Sequence, residues 1–229
     1  MKNLIRNLFW VVVVTHLLCI ILQKNEWVFW SKMLLMPTLF WYFYDAVLEK
    51  WTTLQRWIAS GLVFAFAGDT FLLFQKDVQH GSTFFLLGLI SFLICHIFYI
   101  IGFLKYKNSE NGFLTKKPYF LLPFLVYVFV MLNYLLPNVP SGLKIAVIVY
   151  SLVIASMALS ALHLRSRTRE GGAWAMLFGG ALLFIVSDSL LSLGVFGGLK
   201  VDWLGFGIML TYILGQYFIV RGAILVERS

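Results

Sequence analysis

Charge is what this chain has least of. Only 12% of its 229 residues are Asp, Glu, Lys or Arg, against about 25% in an ordinary soluble domain. With 61% hydrophobic residues and a mean hydropathy of +0.88, the composition excludes a water-soluble domain and reads as an all-α integral membrane protein. Cysteine is nearly absent. Cys19 and Cys95 both sit in apolar runs, with no CxxC pair and no Cys/His metal spacing, so neither a disulfide framework nor a zinc site is indicated. His16, His80, His96 and His163 lie in different regions without an HExxH pattern. Ser187, Ser189 and Ser192 have no GxSxG elbow around them. No linker or low-complexity segment marks a second domain, so residues 1–229 read as one transmembrane domain.

The net charge of +8 does not imply nucleic acid. The basic residues sit mainly in short loops between apolar runs, which is the pattern that orients membrane proteins. Lys2 and Arg6 before an apolar run imitate a signal peptide. However, Gln23-Lys24-Asn25-Glu26 follows instead of a small-residue cleavage site, and Leu17-Leu18 before Cys19 is too bulky for a lipoprotein site. The segment reads as a retained first span.

About 20 apolar residues cross a bilayer core. By that measure spans fall near 4–22, 27–48, 54–75, 82–104, 118–136, 143–164, 172–196 and 203–226, eight helices with both termini on one side. That side carries Lys2, Arg6, Lys50, Arg56, Lys105, Lys107, Lys116, Lys117, Arg165, Arg167, Arg169, Arg221 and Arg228. The other carries Lys24, Lys76, Lys144 and Lys200, and Lys32 lies inside a span. Thirteen against four places both termini in the cytoplasm.

Against this apolar background two carboxylates stand out: Asp69 in Gly68-Asp69-Thr70-Phe71-Leu72 and Asp188 in Ser187-Asp188-Ser189-Leu190-Leu191. An ionisable group inside hydrocarbon is costly and is a candidate functional site for that reason. The alternative is a buried aspartate that only hydrogen-bonds a neighbouring helix. The two stretches match in pattern. One span later, Cys95-His96 through Gly102 matches Gly215-Gln216 through Gly222 at nearly the same offset. The copies differ by four spans and run the same way, which suggests a four-plus-four parallel repeat of the kind some transporters show.

Helical rise converts position into depth. Asp69 lies about 20 Å and Asp188 about 24 Å above the cytoplasmic ends of their spans. Lys32, Tyr150, Ser151 and Tyr212 fall near the same level, while His96, Tyr99 and Gln216 fall deeper. Each has a plainer reading: Lys32 is near enough to the outer interface to snorkel, the tyrosines can be packing, His96 can bond a helix carbonyl, and Arg221 can be a topology anchor.

Lys32 with Pro37, Gly68-Asp69, His96-x-x-Tyr99, Ser187-Asp188 and Tyr212-x-x-Gly215-Gln216 with Ile219-Val220-Arg221 together resemble the YhhN family. The likeness runs from the second to the last span. In many relatives the lysine and proline are adjacent; here Met33 to Met36 separate them. Gln216 stands where some relatives have histidine, which argues against a metal there. The resemblance implies a lysoplasmalogenase in the inner (plasma) membrane of a bacterium. Such an enzyme hydrolyses the vinyl-ether bond of a lysoplasmalogen to a fatty aldehyde and a glycerophospho-base. It implies no cofactor and no metal, and as partners water, the lysophospholipid and membrane lipids. The family's two aspartates fall on Asp69 and Asp188. Lys32, His96, Tyr99, Tyr150, Ser187, Tyr212, Gln216 and Arg221 are the expected substrate-binding or supporting residues.

The chemistry fits this role. Vinyl-ether hydrolysis protonates the alkene carbon remote from oxygen and leaves an oxocarbenium ion for water to attack. It needs a protonated acid and an anion, and two carboxylates in a low-dielectric site can hold one proton between them. Glycosidases meet a similar cation with paired carboxylates. Which aspartate is the acid is open at this point. A transporter or channel with an intramembrane acidic site, and a non-catalytic lipid-binding protein, are the competing readings.

Overall fold

The computed structural model describes residues 2–47, 50–75, 77–106, 112–166, 168 and 171–226. Among these there are nine α-helices: α1 (Lys2–Ile21), α2 (Asn25–Ala46), α3 (Thr53–Leu73), α4 (Gly81–Lys105), α5 (Phe113–Lys116), α6 (Leu122–Leu135), α7 (Lys144–His163), α8 (Gly171–Val195) and α9 (Leu204–Val226). The eight long ones follow the apolar runs closely. Four-residue α5 falls inside the stretch read from sequence as a connection.

Seven segments are long and apolar enough to cross a membrane; they fall on α1, α3, α4, α6, α7, α8 and α9. Of the eight expected spans, the second, α2, is not among these seven. It has the length, 22 residues, but Trp27, Trp30, Trp41, Tyr42, Tyr44, Lys32 and Asp45 dilute its apolar content. Of the cations counted for orientation, Lys76, Lys107, Arg167, Arg169 and Arg228 lie outside the described residues, as does the expected end of the second span at residue 48. Lipid contact explains the surface of α6, where Leu122, Leu125, Val126, Phe129 and Val130 are all exposed. A helix apolar on its outer as well as its inner face belongs in a bilayer.

The chain divides into two compact units, Met1–Gly102 and Phe103–Ser229. In the first, α1 packs on α2 and α2 on α3. The reversal between α1 and α2 takes three residues because Gln23 adopts the left-handed region (φ 53). Lys24 N–H then reaches the Cys19 carbonyl at 2.9 Å, closing the helix as a glycine usually does. Thr52 starts α3 with a capping box: Gln55 N–H donates to Thr52 Oγ1 (3.3 Å) and Thr52 N–H to Gln55 Oε1 (3.1 Å), satisfying two otherwise orphaned donors.

Glycines set how closely α3 meets α4. Gly61 faces the Tyr99 ring, and a side chain on Gly68 would come 2.7 Å from the Phe92 ring. One on Gly88 would come 2.8 Å from Leu72. Pairing 61 with 99, 68 with 92 and 72 with 88 fixes an antiparallel register. Small residues on one helix receive large ones from the other, as membrane helices commonly pack.

In the second unit α6 packs on α7, α7 on α8 and α8 on α9. The last contact is backbone to backbone. A Cβ on Gly180 would fall 2.7 Å from the Gly215 carbonyl oxygen, and one on Gly222 2.9 Å from the Leu177 nitrogen. Gly198 (φ 72) turns the chain between these helices.

Candidate functional residues and two intramembrane aspartates

Asp69 lies in the C-terminal half of α3 and is almost fully buried. Its Oδ1 is 3.3 Å from Lys32 Nζ, on α2. The ammonium is itself mostly withdrawn from solvent, with 14% of its side chain exposed. Of the two readings open for Lys32, the ion pair rather than snorkelling describes its position. Pro37, inside α2, withholds the N–H that the Met33 carbonyl would accept, a defect tolerated in membrane helices where other groups compensate. Thr38 Oγ1 donates to the Leu34 carbonyl (2.7 Å) beside that gap. Thr70 Oγ1 donates to the Phe66 carbonyl (2.8 Å) and touches Met33 Sδ (3.6 Å), tying α3 to α2 next to the ion pair.

Asp188, half-buried on α8, accepts a 2.5 Å hydrogen bond on Oδ2 from the Tyr150 hydroxyl of α7. A neighbouring polar pair is formed by Tyr127 of α6 and Ser189, their oxygens 2.8 Å apart. Ser189 Oγ also donates to the Ile185 carbonyl (2.6 Å). With that proton committed, the phenol is the donor to Ser189. Ser187 Oγ donates across to the Ile208 carbonyl of α9 at 3.1 Å, a helix-to-helix tie one residue from Asp188.

The other expected site residues are buried or half-buried. Tyr212 is buried with its ring edge-on to Phe184, 5.4 Å between centroids. His96, Tyr99 and Gln216 are fully buried, Tyr99 against Gly61. From the α3–α4 register, His96 lies level with residue 64, about 7.5 Å from Asp69 toward the start of α3. Arg221 is half-buried near the end of α9. Among the described residues no three His, Cys, Asp or Glu side chains converge as a metal site would require.

Three polar features escaped the sequence reading. Tyr127 is one. The second is His16, completely buried, with Nδ1 2.9 Å from Ser31 Oγ. Ser31 already donates to the Trp27 carbonyl (2.5 Å), so the Nδ1 of His16 carries the proton. The third is Asp45, buried near the end of α2. The signal for Asp45 was the one used for Asp69, a carboxylate within an apolar run.

These features define a multi-pass all-α membrane protein with a buried lysine–aspartate ion pair in one unit and a tyrosine–aspartate hydrogen bond in the other. The chain matches the YhhN family over residues 27–223, and it belongs to that family. No curated protein and no solved structure matches it.

Proposed function

We propose that the protein is a lysoplasmalogenase-like hydrolase that cleaves the vinyl-ether bond of a lysoplasmalogen by acid/base catalysis with Asp69 and Asp188. Membership of the family associated with this activity supports the reaction class. The observation that carries the residue assignment is the different partner each aspartate has. Asp69 faces an ammonium, which suits the carboxylate that stabilises a developing cation. Asp188 accepts from a phenol, a partner that serves a carboxylic acid as well as a carboxylate, which suits the proton donor.

In this reading the Asp188 carboxyl proton moves to the alkene carbon remote from the ether oxygen. The π pair forms the new C–H bond, and the ether oxygen shares the cation left on its neighbouring carbon. Water adds there and returns a proton to Asp188. The hemiacetal then parts into fatty aldehyde and the glycerol hydroxyl of the glycerophospho-base. One water is consumed and no electrons are exchanged. Tyr150 orients the acid and Lys32 holds the anion. Ser187 and Tyr212 keep α8 and α9 in place, and Tyr99 and Gln216 support the site from α4 and α9. In the same reading His96 positions the water and Arg221 holds the substrate phosphate.

The topology belongs to the same proposal. If α2 crosses as well, eight spans bring both termini to the cytoplasmic side, as the cation asymmetry favours. The four-plus-four repeat gains support from each unit having its aspartate on the third of four long helices and the partner on the second.

The test is product analysis by mass spectrometry with purified protein, offering a lysoplasmalogen beside an ester lysophospholipid. Fatty aldehyde from the first and no fatty acid from the second is the expected result. Ester cleavage without aldehyde release would overturn the substrate assignment, and intact lipids on both sides would favour a transporter or binding protein.

A further inference from the structure

Away from the aspartates, the second unit builds a cationic corner. Arg165 lies in the 3-10 turn Leu164–Ser166 that ends α7. Its guanidinium carbon is 5.0 Å from the centre of the Phe113 ring and 5.2 Å from the Trp174 ring. Lys117 Nζ stands 5.8 Å over the Phe113 ring. Both rings are fixed from behind. Trp174 donates its indole N–H to the Ala161 carbonyl (3.1 Å) and stacks on Phe178. Phe113 is buried against Phe120, 5.0 Å between centroids. Gly112 lets the chain press onto His163, where a side chain would have no room.

A cation needed only to orient a membrane protein requires no such mounting. Here two aromatic rings flank the guanidinium, which restricts the side chain and lowers the entropy lost when an anion binds. Arg165 and Lys117 are both exposed, and among the described residues no carboxylate pairs with either. From this corner the exposed side chains Leu122, Leu125 and Phe129 descend one face of α6, an apolar track that begins five residues after Lys117.

We infer that Arg165 and Lys117 form a binding site for the phosphate of an anionic phospholipid, whose acyl chain lies along the exposed face of α6. The track is what favours a lipid over free phosphate, which would have no use for it. The site is separate from the proposed chemistry at Asp188. Tyr150 and Arg165 are 15 residues apart along α7 and its terminal turn, about 22 Å of rise. That is several times the reach from phosphate to the first chain oxygen of one glycerophospholipid. A lipid held here is therefore not a substrate molecule engaged at Asp188.

The experiment is native mass spectrometry of the detergent-purified full chain with phosphatidylglycerol, phosphatidylcholine and inorganic phosphate, with thermal unfolding measured in parallel. Phosphatidylglycerol is expected to be retained preferentially and to raise the unfolding temperature. Arg165→Gln and Lys117→Gln are each expected to weaken its retention roughly fivefold, the worth of one interfacial cation, without changing phosphatidylcholine. Arg165→Lys, which keeps charge but loses the forked donors, is expected to fall between and serves if Arg165→Gln does not fold. Equal retention of the two lipids, unchanged retention in the variants, or complete displacement by equimolar inorganic phosphate would overturn the lipid site.

Discussion

Lys32 Nζ and Asp69 Oδ1 lie 3.3 Å apart, linking α2 to α3 inside the first unit, with the carboxylate nearly sealed from solvent. Two charges taken out of water together are held by each other, and removing one strands the other. Lys32→Met and Asp69→Leu are each expected to lower stability by about 3–5 kcal/mol, while the double variant recovers most of that loss. A double-mutant cycle on detergent-solubilised protein checks this. Strict additivity would mean the pair has no energetic coupling.

The Tyr150–Asp188 hydrogen bond gives a second expectation. Tyr150→Phe removes the donor and leaves the ring, so the loss is that of one acceptor left unsatisfied, about 1–3 kcal/mol. If Tyr150 orients the acid, aldehyde release should fall further than stability accounts for. Comparing kcat with unfolding temperature in the variant separates the two. Activity that tracks stability alone would reduce Tyr150 to packing.

Glycines 172 and 180 should respond in opposite ways to alanine. At Gly180 the new methyl meets backbone atoms of α9, the Gly215 oxygen at 2.7 Å and the Ile219 nitrogen at 2.9 Å. Neither can swing aside, so Gly180→Ala is expected to cost about 1–3 kcal/mol or more. At Gly172, in the first turn of α8, nothing lies within 4 Å. Gly172→Ala should be neutral or gain up to about 1 kcal/mol of helix propensity. Thermal unfolding of the two variants side by side is sufficient.

Much of this was legible in the sequence because rise per residue converts position directly into depth. That arithmetic set Lys32 level with Asp69 and Tyr150 level with Asp188, and both pairs are in contact. It could not supply rotation about the helix axis. Tyr212 shares the same level, and only the structure shows that its ring meets Phe184 edge-on. Tyr127 and the His16–Ser31 pair were missed for the same reason: a hydroxyl or imidazole in an apolar run shows its partner only once the facing helix is known. At α2 the sequence reading weighed length above content, and its tryptophans and tyrosines made the difference.

Between α3 and α4, outside the spans, the backbone N–H groups of His80 and Gln79 hold the Asp77 carboxyl below its ordinary value of 3.8. Asp77 Oδ1 accepts both, at 2.7 and 3.0 Å. A depressed folded value means this contribution to stability is present above the unfolded value and is lost as pH falls through the lower folded one. Hydrogen exchange at the His80 and Gln79 amides, corrected for its intrinsic pH dependence, should lose protection only below about pH 4. In Asp77→Ala that protection should be low at every pH, and in Asp77→Asn it should lose its pH dependence.

The central claim rests on the two aspartates as an acid and an anion. Aldehyde release from lysoplasmalogen by folded Asp69→Asn and Asp188→Asn, each confirmed by its unfolding profile, tests it most directly. Both variants are expected to lose activity by about 100-fold or more, the usual worth of a general acid at Asp188 and of transition-state charge stabilisation at Asp69. Near-normal aldehyde release from either one would contradict the two-carboxylate mechanism.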